Sequence, residues 1–264
     1  MQRYLTIIDI FWQRALTYRF TILSYRIGEI LELIVLIIMW TAIFQNSQLI
    51  GGFTLKEMIS YLLIGNLFRA MVRNFLTDAV ARDIKDGKLS LALIQPMSYF
   101  TYILTKEVGR ISVSTFMSIF SQIIVCALFF SSIIFNLDIR YLLLILIMLI
   151  LAFLTELLVS YLIGLIAFWT DEVDGLYSSV ESLKKFFSGV YFPLNLLPIA
   201  FVNISFILPF AYSFYIPTQL YLKKIDLTAG IKGILVQITW ISLLYVIINF
   251  VWKKGLRKYE GVGI

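Results

Sequence analysis

The sequence predicts an all-α integral membrane protein of six transmembrane helices. It adds an N-terminal amphipathic interfacial helix and a proline-broken apolar section between helices five and six. Composition is the first observation behind this. Of 264 residues, 60% are hydrophobic and 14% charged, against about 45–50% and about 25% in soluble domains. The second is the recurrence of apolar stretches that reach the roughly 20 residues a bilayer crossing needs. The third is the distribution of Lys and Arg, which gather in alternate connections. The net charge of +6 is therefore read as positive-inside bias at a membrane and not as a nucleic-acid footprint.

Residues 1–19 place Tyr4, Ile8, Phe11, Trp12, Ala15 and Leu16 on one helical face and Arg3, Gln13, Arg14 and Thr17 on others. That is the pattern of a helix lying in the headgroup plane. Residues 20–264 then form a single transmembrane domain. Span one is expected at 20–44, a turn at Gly51-Gly52, span two at 57–79, span three at 102–130 and span four at 141–168. Asp171, Glu172 and Asp174 mark water. Span five runs from about 176 to Pro193, a proline-broken section reaches Leu222, and span six covers 231–252. The first apolar run is long and carries Glu29 and Glu32, so it reads as a retained span and not a cleaved signal. Arg3, Arg14, Arg19, Arg26, Arg82, Lys85, Lys88, Lys106, Lys184, Lys185 and the cations of the tail fall on one side. This places both termini in the cytoplasm.

Charges inside the spans are the candidate functional residues. Each costs about 2.5–3.5 kcal/mol at mid-bilayer unless paired or hydrated. Spans one and two are antiparallel about Gly51, so residues at equal depth have numbers summing to one constant. Glu29 with Arg73, and Glu32 with Arg69, meet that condition and are expected to form a ladder. Glu156, in span four, is a candidate for a polar pathway, with Arg110 of span three as a partner about one turn off register. Ser114, Ser118, Ser121 and Gln122 share a face of span three, and Ser160 with Gly164 form a small-xxx-small pair; both read as close packing. Glu181 has neutralising spacing to Lys184 and Lys185.

Histidine is absent, which removes Ser-His hydrolysis and His-metal chemistry. The lone Cys126 has no partner for an internal disulfide. No phosphate-binding G-x-x-x-x-G-K-[ST] loop occurs, so any ATP that drives the protein binds another subunit. Asn203-Ile204-Ser205 matches a glycosylation sequon by chance. No metal site is expected; Asp171, Glu172 and Asp174 read as a hydrated helix start.

Three distant stretches carry a resemblance. They are Asp83-Ile-Lys-Asp-Gly87-Lys-Leu89-Ser-Leu-Ala-Leu-Ile94-Gln-Pro96, Phe187-Ser-Gly189-Val-Tyr-Phe-Pro193 with Leu197-Pro198 and Leu208-Pro209, and the tail Trp252-Lys-Lys-Gly255-Leu-Arg257-Lys-Tyr259-Glu260. Together they resemble the type-2 permeases of ATP-binding-cassette (ABC) transporters, in the daunorubicin-resistance-like subgroup. The first stretch departs from the family in reading Gly87-Lys88-Leu89-Ser90 where many members have Gly-Thr-Leu-Glu.

The resemblance implies a permease in the cell (inner) membrane, exporting an amphipathic or hydrophobic compound. Its partners would be an ABC ATPase subunit, a second permease (a copy or a paralogue) and membrane lipid. No cofactor would bind this chain, because ATP and Mg belong to the ATPase. A cytoplasmic coupling helix at about 83–95 would seat in the ATPase through Asp83, Gly87, Leu89, Leu93, Ile94 and Pro96. On physical grounds Leu89, Leu91, Leu93 and Ile94 offer it an apolar face. A re-entrant hairpin between helices five and six, at about 194–222, would form an outer gate involving Gly189, Pro193, Pro198 and Pro209. The alternatives are a membrane-embedded lipid-modifying enzyme built on carboxylates and a channel not coupled to ATP.

Overall fold

A computed structural model describes residues 19–94, 96–170 and 172–259. The interfacial helix expected at the N-terminus, together with Gln95, Asp171 and Glu260, lies outside the described residues. The described chain is helical throughout, its one β feature being an isolated bridge between Ile50 and Phe53.

Helix α1 (Arg19–Ile43) is followed by α2 (Leu55–Val72), α3 (Leu76–Lys85) and α4 (Lys88–Leu93). Then come α5 (Tyr99–Leu128), α6 (Ile139–Leu165), α7 (Val173–Ser188), α8 (Ile199–Ile207), α9 (Tyr215–Tyr221) and α10 (Leu227–Lys258). The starts of α2, α5, α6 and α10 are fixed by side chains that accept the unpaired N–H groups of the first turn. Thr54 and Glu57 close a reciprocal capping box on α2. Ser98 accepts from Thr101 N at 3.2 Å, Asp138 from Arg140 N at 3.2 Å and Asp226 from Ala229 N at 3.1 Å.

Helix length and hydropathy decide which elements can cross a bilayer. Among the described residues four are long and apolar enough: Arg26–Asn46, Tyr99–Leu128, Ile139–Phe168 and Leu227–Lys258. A fifth is added if α8 and the segment Pro209–Tyr221, bent by 76°, count as one span. Helices α2 and α7 have 18 and 16 residues. At 1.5 Å per residue they fall short of the roughly 30 Å hydrocarbon thickness, and both carry charges.

Span two was expected to reach residue 79 and instead ends at Val72. Arg73 is extended, and Asn74 Oδ1 accepts the N–H of Leu76 at 3.2 Å, so the chain restarts as a new helix. That helix, α3, buries Leu76, Thr77, Val80, Ala81 and Ile84 on one stripe. It lies against α6, where Thr77 Oγ1 donates to Ser160 O at 3.0 Å. A Cβ on Gly164 would stand 2.7 Å from Val80 Cβ. The Ser160/Gly164 pair is therefore the seat of α3, an amphipathic helix and not a transmembrane neighbour.

Two apolar cores result. One gathers Tyr61, Phe53, Phe214 and Leu194 with the inward faces of α1, α2 and α6. The other gathers α3, α4, the first turns of α5 and the end of α6 around Tyr99, Tyr161 and Phe168. The C-terminal part of α10 closes the second core. The Trp252 ring stacks on Tyr99 with centroids 5.3 Å apart, and a Cβ on Gly255 would clash with the Phe168 ring. Tyr259 OH lies 3.2 Å from Ser90 Oγ. Helix α10 follows α6 closely over Gly230 and Gly233, and Gln237 Nε2 donates to Met148 O at 3.1 Å.

Candidate functional site

The charges that the sequence reading placed inside the spans converge. Glu29 pairs with Arg73, just past the end of α2, and, at 2.5 Å, with Arg26 of its own helix. Glu32 lies 3.3 Å from Arg69 and 3.0 Å from Lys185 of α7. Lys184 sits 2.5 Å from both Glu156 of α6 and Glu181 of its own helix. Every carboxylate in this set faces at least one cation, which is what burial in a low-dielectric bundle demands. Arg26 is anchored further by α5, donating to Ser118 Oγ and to Ser114 Oγ, the latter at 3.1 Å. The polar face of α5 thus has a specific task. Higher up, Gln122 Nε2 donates to Leu63 O at 3.3 Å, tying α5 to α2.

Between these groups lies a cavity of about 480 Å³, whose lining includes Glu29, Glu32, Arg69, Arg73, Glu156 and Lys184. Ser213 and Phe214 close it from the segment before α9.

The sequence offered Arg110 for Glu156, a turn off register, but the partner is Lys184. Arg110 turns instead to Glu107, 2.9 Å away. Glu107 was not singled out from the sequence. It is almost fully buried and also accepts the Phe75 N–H at 2.6 Å. The i, i+3 spacing of Glu107 and Arg110 inside an apolar run was the available signal. Lys185 was expected to neutralise Glu181; it reaches Glu32, because α7 presents its two lysines to different neighbours. Arg26 was counted among the cytoplasmic-side cations, yet it is 7% exposed and joins the network.

The segment 83–95 is not one helix. Gly87 takes φ +72°, a conformation that costs a glycine little, and it turns the chain between α3 and α4. Asp83 is buried, accepting from Tyr99 OH at 3.2 Å with Lys106 Nζ at 3.7 Å. Leu89 is fully buried in the second core. Both were expected on a docking face, and both hold the turn onto α5 instead. Leu91, Leu93 and Ile94 are 60%, 44% and 81% exposed. With the exposed Pro96 they form the apolar surface the turn presents outward.

At the opposite end, Gly189 terminates α7 at φ +82°. Val190 N donates back to Lys185 O and Gly189 N to Phe186 O, each at 3.3 Å, a Schellman pattern. Tyr61 OH donates to Gly189 O at 2.6 Å. Pro193 precedes a short 3-10 turn, Leu194–Leu196, and Pro198 caps α8. Pro209 opens the turn at the 76° bend. Asn195 Nδ2 donates to Gly51 O at 2.6 Å and Lys224 Nζ to Gly52 O at 2.8 Å, joining this section to the α1–α2 turn. Glu172 and Asp174 are exposed at the start of α7.

No curated protein and no solved structure matches the chain. Residues 30–263 match the family described as ABC-2 family transporter protein. That span covers most of the sequence and contains the Gly87 turn, the proline-rich section and the cavity lining apart from Ser24, Gly28 and Glu29. The chain therefore belongs to the ABC-2 transporter family, as a multi-pass membrane protein of the permease type.

Proposed function

We propose that this chain is the membrane subunit of an ATP-driven exporter of an amphipathic or hydrophobic compound. It works with a second permease and with ATPase subunits that carry ATP and Mg. Six crossings are made by α1, α2, α5, α6, α7 and α10; the short α2 and α7 are tolerated because their charges are paired inside the bundle. The α8–α9 section returns to the outer side as a re-entrant gate, where its irregular backbone is buried in protein. Both termini then lie in the cytoplasm of a cell bounded by this inner membrane, as the Lys and Arg distribution favours.

The observation that carries this reading is the turn at Gly87. It hangs from the bundle with Leu91, Leu93 and Ile94 exposed, while Asp83 and Leu89 fasten it to α5. An apolar centre with Lys88 and Asp86 at its rim suits protein docking. The carboxylates that a lipid-modifying enzyme would need are engaged by cations, which favours transport over catalysis. The test is purification of the tagged chain in mild detergent from its own cells. Recovery of an ABC ATPase with it supports the reading; recovery of the folded chain without any ATPase refutes it.

A further inference from the structure

Helix α10 has two faces of different chemistry. Gly230, Gly233, Gln237, Leu244, Ile248 and Gly255 are buried against the bundle. Leu235, Leu243, Val246 and Phe250 are exposed and, at about 100° per residue, lie on the opposite side. The same outer face then changes abruptly. Its last two turns carry Lys253, Lys254, Arg257 and Lys258, all exposed. Lys254 Nζ lies 4.4 Å from the centroid of the Phe250 ring, so the two chemistries meet there. The helix holds no Asp or Glu from Leu227 to Lys258. Among the described residues none of the four cations forms an ion pair.

Four unpaired like charges on one face repel one another and call for an anion. The apolar stripe next to them calls for hydrocarbon. The dimensions agree with a membrane boundary: positions 253 to 258 rise about 7.5 Å along the axis, and the headgroup layer of one leaflet is about 5–7.5 Å deep. We infer that the end of α10 is a binding surface for acidic phospholipid. The phosphates lie at Lys253, Lys254, Arg257 and Lys258, and the acyl chains run along Leu243, Val246 and Phe250. The inner side of the same turns holds the second core. There Trp252 stacks on Tyr99, and Tyr259 OH meets Ser90 Oγ of the Gly87 turn. Lipid on the outer side therefore steadies the helix end that this turn touches. The inference needs a spanning α10 and no ATPase.

The test is native mass spectrometry of the purified full chain in a non-ionic maltoside. It is titrated with phosphatidylglycerol, with phosphatidylcholine of the same acyl chains and with glycerol 3-phosphate. Wild type is expected to hold phosphatidylglycerol at least tenfold more tightly than either. Each Lys or Arg near an anionic surface is worth about fivefold in binding. Changing all four cations to Gln should therefore abolish the preference. Lys253→Gln with Arg257→Gln should lower it about tenfold, and this smaller variant carries the test if the fourfold one does not insert. Lys253→Arg, Lys254→Arg and Lys258→Arg together should keep it. Raising ammonium acetate from 0.1 to 1 M should weaken it in wild type. Equal retention of the two lipids by wild type, or an unchanged preference in the Gln variants, overturns the inference. Glycerol 3-phosphate binding as tightly as phosphatidylglycerol makes this a free-phosphate site and overturns it too. ATPase recovery is read on the same preparations. Loss of a co-purified ATPase from the Gln variants with the lipid preference intact would make the face a protein-docking surface and overturn the lipid assignment.

Discussion

The Glu107 carboxylate accepts the backbone N–H of Phe75 at 2.6 Å. That contact fastens the break between α2 and α3 to the middle of α5. The same carboxylate takes two bonds from Arg110, at 3.0 and 3.1 Å. The Arg110 guanidinium lies over the Phe75 ring, 4.7 Å from its centroid, and Arg73 approaches the same ring at 5.1 Å. Arg73 pairs with Glu29 at the cavity. A continuous set of contacts therefore runs from the charged chamber to the helix that leads into the Gly87 turn.

Glu107→Ala leaves the half-buried Arg110 guanidinium and the Phe75 N–H without their acceptor. It should cost about 1–3 kcal/mol, lowering the thermal midpoint of the purified chain in detergent. Glu107→Gln keeps an acceptor for Phe75 and should lose distinctly less. Equal stability of the alanine variant and wild type would show that the break is held by something else.

Lys184 stands between two carboxylates, so its removal and theirs are unequal. Lys184→Met leaves Glu156 and Glu181 facing each other without a cation and should cost about 3–5 kcal/mol. Glu156→Gln leaves Lys184 with Glu181 and should cost about 1–3 kcal/mol. Denaturation of the two variants side by side checks the order; a greater loss for Glu156→Gln contradicts the pairing.

Reversal of one charge of the α1–α2 ladder should destabilise the chain, and reversal of both should recover part of the loss. The rescue in Glu29→Arg with Arg73→Glu is expected to be incomplete, because Arg26 also contacts Glu29. A double variant no better than either single one, judged by folded yield and thermal midpoint, contradicts the direct pairing.

The ladder was legible because antiparallel neighbours share depth about their turn, and Gly51 marks that turn. The same rule, applied about Thr170, pairs position 156 with position 184. Glu156 was instead compared with the preceding span, which supplied Arg110. Two other features depended on contacts distant in sequence. Leu76 and Val80 look like a continuation of span two, and the Asn74 side chain, Glu107 and the Ser160/Gly164 seat divert them into α3. After Gly87 the leucines are too closely spaced for periodicity to say which are inward. Leu89 is buried in the second core, whereas Leu91 and Ile94 are exposed. Hydropathy identified a membrane protein readily, whereas α2 and α7 illustrate that charge pairing also decides which helices can sit in the bundle.

Close packing gives a further prediction with a built-in contrast. Gly164→Val would push a side chain into Val80 and Thr77 O, at 2.7 and 3.1 Å from the new Cβ, and should cost about 1–3 kcal/mol. Gly175 has nothing within 4 Å and lies in an exposed turn of α7, so Gly175→Ala should stabilise by about 0.5–1 kcal/mol. Thermal midpoints that fall for the first and rise for the second fit the account; a fall of similar size in both does not.

The most direct test separates the two sides of the Gly87 turn. Ile94→Asp changes a side chain that is 81% exposed, and Leu89→Asp one that is fully buried. Each variant is purified from its own cells and assayed for monodispersity and for co-purified ABC ATPase. Ile94→Asp is predicted to remain folded and lose the ATPase, while Leu89→Asp is predicted to lose the folded chain itself. A folded Ile94→Asp variant that still holds the ATPase as wild type does would contradict docking through this surface.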